Sequence, residues 1–155
     1  MPKIDLEAIE QTNRTGYPPP FNEDVAGRWV RRLAPATALT DFGVSHVVLK
    51  PGAWSSQRHW HNGEDEFLVM IDGEAVLVED EGRTVLNAGD CAAWPKGGTN
   101  GHHLRNESDR DCSFIVISGG TNTGGGYSEI DMIFTSDGGY AHKDGTPYAD
   151  AKRHP

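Results

Sequence analysis

The chain has 155 residues, 36% of them apolar, with 14 basic side chains against 23 acidic ones and a net charge of −9. That length suits one domain with short extensions. The acidic balance argues against nucleic acid or an anionic membrane as partner, since both are bound through clustered Lys and Arg, and no apolar run approaches the ~18 residues of a membrane span.

Residues 1–27 are polar and contain the run Pro18-Pro19-Pro20, which predicts an extended N-terminal segment with at most one helical turn near Leu6 to Ile9. No apolar stretch follows Met1, so no signal peptide is expected and the expected compartment is the cytoplasm. Residues 28–39 fit strand or helix equally, because Trp29 and Leu33 satisfy both spacings. From Phe42 to Phe134 the text breaks into short apolar or alternating runs, read as strands at 42–50, 54–61, 66–72, 74–80, 83–87, 91–94, 102–106, 111–118 and 128–134. Asp72-Gly73 and Glu81-Gly82 supply tight turns between them, because glycine accepts positive φ. Many short strands punctuated in this way predict an all-β antiparallel sandwich or barrel over 28–134.

Several features carry bland expectations. Glu79-Asp80-Glu81 reads as a solvated hairpin tip. Residues 119–126 lack the Lys-Ser/Thr ending of a phosphate loop and read as a flexible loop. Residues 135–155 read as a loop tail over the surface, with His142-Lys143-Asp144 exposed. Cys91 and Cys112 have no CxxC partner and are expected as small buried side chains. Trp54, Trp60 and Trp94 are expected as core or interface aromatics.

Four of the seven histidines fall in two groups, His59-Trp60-His61 and His102-His103. Alternate strand residues share a face, so His59 and His61 point the same way and Trp60 the other. Paired neutral imidazoles are natural ligands of a borderline metal. Glu66 opens the apolar strand that follows, where a carboxylate has a solvation problem that a cation would solve. Alternation lets only one of His102 and His103 face inward. Gln57, Leu68, Met70 and Leu104 are expected on the ligand side, and Arg58 and Arg105 on the opposite face. Lys96 is then the basic residue expected near the mouth.

Gly52 to Gly73 resembles the first cupin motif: glycine, a spacer, His-x-His, Glu66, and glycine again. Gly89 to Asn106 resembles the second, through Pro95-Lys96-Gly97, His102 and Asn106. Six residues separate Gly52 from His59 and four separate Gly97 from His102, both intervals longer than the motifs have. The resemblance implies a double-stranded β-helix, the cupin jelly-roll barrel. Residue by residue, it carries the metal positions onto His59, His61, Glu66 and His102. The interval to Asn106 selects His102 over His103. It also implies one divalent transition metal, such as Mn, Fe, Ni or Zn, with open positions for a small oxygenated metabolite. A metal-dependent isomerase acting on sugars or hydroxy-carbonyl compounds is the leading expectation, with Glu64, Asp65, His103 and Tyr127 as unranked base candidates. A dioxygenase using Fe or Ni and a non-catalytic ligand-binding cupin are the alternatives. A homodimer is expected, since the chain is poor in apolar residues and two-fold dimers are the commonest assembly.

Overall fold

A computed structural model of the protein describes residues 3–149 and 151. Alternation sets its strands. In β4 (Glu64–Asp72) Leu68 and Met70 are each 1% exposed, whereas Phe67 and Ile71 on the other face are 41% and 50% exposed. The same rule turns Val47 and Leu49 of β2 (Phe42–Leu49) and Cys112 and Phe114 of β9 (Cys112–Gly120) inward. These strands join β1 (Arg28–Arg32) and β7 (Cys91–Trp94) in a five-stranded antiparallel sheet, ordered β1-β2-β9-β4-β7.

Two smaller sheets complete the structure. One is ordered β6-β5-β8, from β5 (Glu74–Glu79), β6 (Gly82–Asn87) and β8 (His103–Arg105). The other joins β3 (His59–His61), β10 (Gly125–Tyr127), β11 (Ile133–Phe134) and β12 (Tyr140–Ala141). One aliphatic core lies between the large sheet and β5, β6 and β8, and includes Leu49, Met70, Phe114, Leu77 and Leu104. The β4–β5 turn places Gly73 at φ 72°, where a Cβ would stand 2.8 Å from Cys112 Cβ, so glycine is required there on two counts. The architecture is the all-β antiparallel fold that the strand pattern predicts and the jelly roll that the cupin resemblance implies.

Residues 28–39 prove to be both alternatives, since β1 runs directly into the short helix α1 (Leu33–Ala36). The single turn expected near Leu6 is a 3-10 helix over Leu6–Ala8. The segment before β1 is tied to it by an antiparallel bridge between Thr12 and Val30.

Four expectations are corrected. Cys91 is exposed, because β7 is the sheet's edge strand and turns it outward, whereas Cys112 is buried as expected. Residues 119–126 are not a loose loop: β9 ends at Gly120 and Gly125–Tyr127 form β10, paired with β3. A side chain at Gly126 would collide with the Trp60 ring, which accounts for the glycines. Glu79, Asp80 and Glu81 are engaged rather than merely solvated: they meet Trp94 Nε1, the Arg58 guanidinium and Asn100 Nδ2 respectively. The C-terminal tail contributes β12, and Tyr140 and Ala141 are buried. Tyr140 joins Tyr17, Val25, Tyr127 and Met132 in a second buried cluster built largely from the chain's two ends.

Candidate metal centre

β3 is three residues long, and its alternation brings His59 and His61 to one side. Their Nε2 atoms lie 3.1 Å apart. Glu66, at the start of β4, places Oε2 3.2 Å from His61 Nε2 and 3.3 Å from His102 Nε2. Donor atoms of His59, His61 and Glu66 all fall within 4.8 Å of one another, and His102 joins the group at the carboxylate. His102 is brought there by its bridge to His59, each backbone N–H donating to the other's carbonyl.

Neighbouring groups orient the rings. His59 Nδ1 lies 3.0 Å from the Gln57 carbonyl. A carbonyl only accepts, so Nδ1 carries the proton and Nε2 faces the cluster with its lone pair. His61 Nδ1 is 3.4 Å from Glu64 Oε2. His102 Nδ1 is buried without a hydrogen-bond partner, and its ring is held instead by stacking on Trp94, 3.8 Å between centroids and 7° from parallel. Trp94 is itself fixed by an Nε1–H bond of 2.7 Å to Glu79 Oε1.

The cluster's electrostatics make sense around a cation. Burial holds His59 near pKa 3, reinforced by His61 and His102 beside it. Burial also opposes charge on His61, but the carboxylates of Glu64 and Glu66 outweigh it and raise that pKa to about 9. For Glu66 burial works upward, yet His102 and His61 prevail and hold it well below the usual carboxylate range. Without metal, a proton on His61 keeps these donors together; a metal would displace it. Donors bonded at ~2.0–2.2 Å to a single ion stand about 3 Å apart when adjacent. The donors of His59, His61 and Glu66 match that spacing, with His102 reaching them through the Glu66 carboxylate, and three imidazoles with one carboxylate suit a divalent transition ion. The residues therefore fit such a metal.

The cluster forms part of the wall of a cavity of about 610 Å³. Leu68 and Leu104 line this cavity as expected. Gln57 instead turns to Asp24 and the Phe21 carbonyl, and Met70 sits in the aliphatic core. Among the base candidates, Glu64 and Tyr127 line the cavity. Asp65 is exposed and accepts from the Lys96 backbone N–H. His103 is buried with both nitrogens engaged, Nδ1 donating to the Ser56 carbonyl and Nε2 accepting from Arg105 Nε. Arg58 pairs with Asp80 and Glu129, and Arg105 lies over Trp54, both away from the cavity. Trp94, expected only as a packing aromatic, turns out to hold a candidate ligand. The spacing of β7 gave no sign of this, because its partner lies on another sheet. Tyr17 is another omission: its hydroxyl accepts from Tyr127 and from the Gln57 backbone N–H. An isolated tyrosine beside a proline run carries no periodic signal.

The cupin domain model matches residues 45–118. No curated protein matches the chain. Among solved structures, a sugar phosphate isomerase from a cupin superfamily, from Silicibacter pomeroyi DSS-3, is 40% identical. The match covers 97% of this chain and 99% of that one at a TM-score of 0.88. A Cupin 2 conserved barrel domain protein from Salinispora arenicola CNS-205 shares the fold at 24% identity, with 76% and 86% coverage and a TM-score of 0.54. The polyketide cyclase RemF from Streptomyces resistomycificus also shares the fold, at 17% identity, 84% and 87% coverage and a TM-score of 0.65. On these grounds the chain belongs to the cupin superfamily.

Proposed function

We propose that the protein is a metal-dependent enzyme that isomerises a small hydroxy-carbonyl compound of the sugar class. The observation that carries this reading is the convergence of His59, His61, Glu66 and His102 donors on the wall of a cavity that also holds Glu64 and Tyr127. The 40% identity with a sugar phosphate isomerase, over nearly the full length of both chains, supports the same class. A divalent ion held by those four residues would polarise the substrate carbonyl and acidify the neighbouring hydroxyl. Glu64 is the proton carrier: it faces the cavity and lies 3.4 Å from His61 Nδ1. The Tyr127 hydroxyl stays neutral, its pKa raised well above the ordinary value mainly by burial, and its proton is donated to Tyr17, leaving the oxygen to accept.

The reading is tested by incubating the purified protein with aldoses, ketoses and their phosphates in D₂O. Isomerisation through an enediol places solvent deuterium on the carbon next to the carbonyl, visible by NMR. Glu64→Gln should keep its metal and lose that exchange. Oxygen consumption with no exchange would instead assign oxygenase chemistry. No exchange and no oxygen uptake across the panel would leave a binder.

A homodimer belongs to this proposal. The exposed Phe67 and Ile71 on the outer face of β4 support it, since they offer an apolar surface for a second copy. A single-chain mass by sedimentation at micromolar concentration would overturn it.

A further inference from the structure

The inner face of β1 departs from the pattern of the other strands. Arg28, Val30 and Arg32 alternate onto the cavity side, so two of the three inward positions carry guanidinium groups. Arg14, from the segment before β1, lines the same cavity, with its guanidinium 3.2 Å from the Glu10 carboxylate. Most other partly buried or exposed arginines meet a carboxylate: Arg31 with Glu7, Arg58 with Asp80, Arg83 with Glu107. Arg28 meets none among the described residues. Its Nη1 donates 2.8 Å to the Ser55 carbonyl, and its Nε is buried without an acceptor. Arg32 has its pKa lowered, first by burial and then by the charge of Arg28, so the two cations are close enough to oppose each other. Asp137 also lines this cavity.

A cation turned inward without a counter-charge, beside a second cation, is costly unless an anion completes it. In a chain of net charge −9, three guanidiniums nonetheless line this one cavity. Planar guanidiniums suit the paired oxygens of phosphate or carboxylate. The placement of Arg32 relative to the candidate metal centre is fixed by register. Arg32 pairs with Ser45, Ser45 with Val116 and Val116 with Leu68, two residues along β4 from Glu66. Three strand steps of ~4.8 Å separate the two walls by about 14 Å of backbone, a gap narrowed by the side chains that reach in from each.

We propose that Arg28, with Arg32 beside it and Arg14 near it, forms an anion subsite. It takes the phosphate or carboxylate terminus of a short-chain substrate whose oxygens lie at the His59, His61, Glu66 and His102 cluster. This assignment rests on the isomerase reading for the far end of the substrate, but not for the anion itself.

The test is calorimetric titration of the full-length protein with inorganic phosphate and, separately, with malonate. Wild type should bind one anion per chain. Arg28→Gln should weaken binding about tenfold or more, the scale of a lost charge-assisted pair, and Arg32→Gln should weaken it too. Arg28→Lys should recover part of the loss. Arg31→Gln, on the other face of β1, should bind as wild type. His61→Ala should keep anion binding, which separates this subsite from anion capture at the metal. Tighter phosphate binding assigns a phosphate ester, and tighter malonate binding a sugar acid. No titration with either anion, or equal binding by wild type, Arg28→Gln and Arg32→Gln, overturns the subsite. Anion binding without deuterium exchange would sink the isomerase reading and leave the subsite standing; exchange on neutral sugars without anion binding would do the reverse.

Discussion

One buried cluster, around Leu49, Met70 and Phe114, is apolar but for the Cys112 thiol, whereas the other, around Tyr17, Tyr127 and Tyr140, brings hydroxyls. The first comes from consecutive strands between residues 47 and 114; the second gathers residues from both ends of the chain. Tyr17 and Tyr127 are 110 positions apart, yet their hydroxyls are joined at 3.2 Å. The aliphatic cluster contributes area removed from water, while the tyrosine cluster lines the cavity beside the candidate metal centre, with the Tyr127 ring 5.8 Å from that of His59. The difference teaches a division of labour: stability should sit mainly in the first region and ligand chemistry in the second.

The hardest test of that division falls between the two regions. His61→Ala should abolish stoichiometric metal, read by elemental analysis, while circular dichroism stays native; replacing His103 should leave metal content nearly intact. Next in size, Met70→Ala should cost about 2–5 kcal/mol in guanidinium unfolding, with metal still bound. A similar loss from Tyr127→Phe would break the division. That variant removes one hydroxyl donor and should cost about 1 kcal/mol while slowing deuterium exchange clearly more than it weakens the fold.

The smallest effect is a pH dependence of the metal-free protein. Burial holds His103 at about 4 and His59 at about 3, below the ordinary 6.5. Their contribution to stability is complete above about 6.5 and lost as pH falls through those values. His61, raised to about 9, has the opposite sign: its contribution is complete below about 6.5 and lost as pH rises through 9. Chelated protein should therefore melt lower at pH 4 than at pH 6.5, and His103→Gln should flatten part of that slope.

Much of the fold was readable because β2, β4 and β9 alternate apolar and polar residues in the ordinary sense, and His-x-His with Glu66 declared itself by spacing. The rest was hidden for physical reasons. β1 puts arginines inward, which inverts the pattern that identifies a core face. β10 is written Gly125-Gly126-Tyr127 because Trp60 occupies the space above it, so close packing resembles a slack loop in the text. Residues 54–61 read as one strand, but only 59–61 form β3. Before them, Trp54 makes an isolated bridge to Arg105, and Ser55 and Ser56 offer their carbonyls to the Arg28 and His103 side chains, so no continuous strand forms.

Trp94 lies flat against His102 while its indole N–H is anchored on Glu79. An indole in face-to-face contact with a candidate ligand ring is a fluorophore wired to the coordination sphere. Loading a paramagnetic ion such as Mn(II) or Fe(II) should quench its emission, and Zn(II) should shift it without quenching, so occupancy could be followed in real time with no added dye. Trp94→Phe would silence that signal while retaining a flat ring against the imidazole.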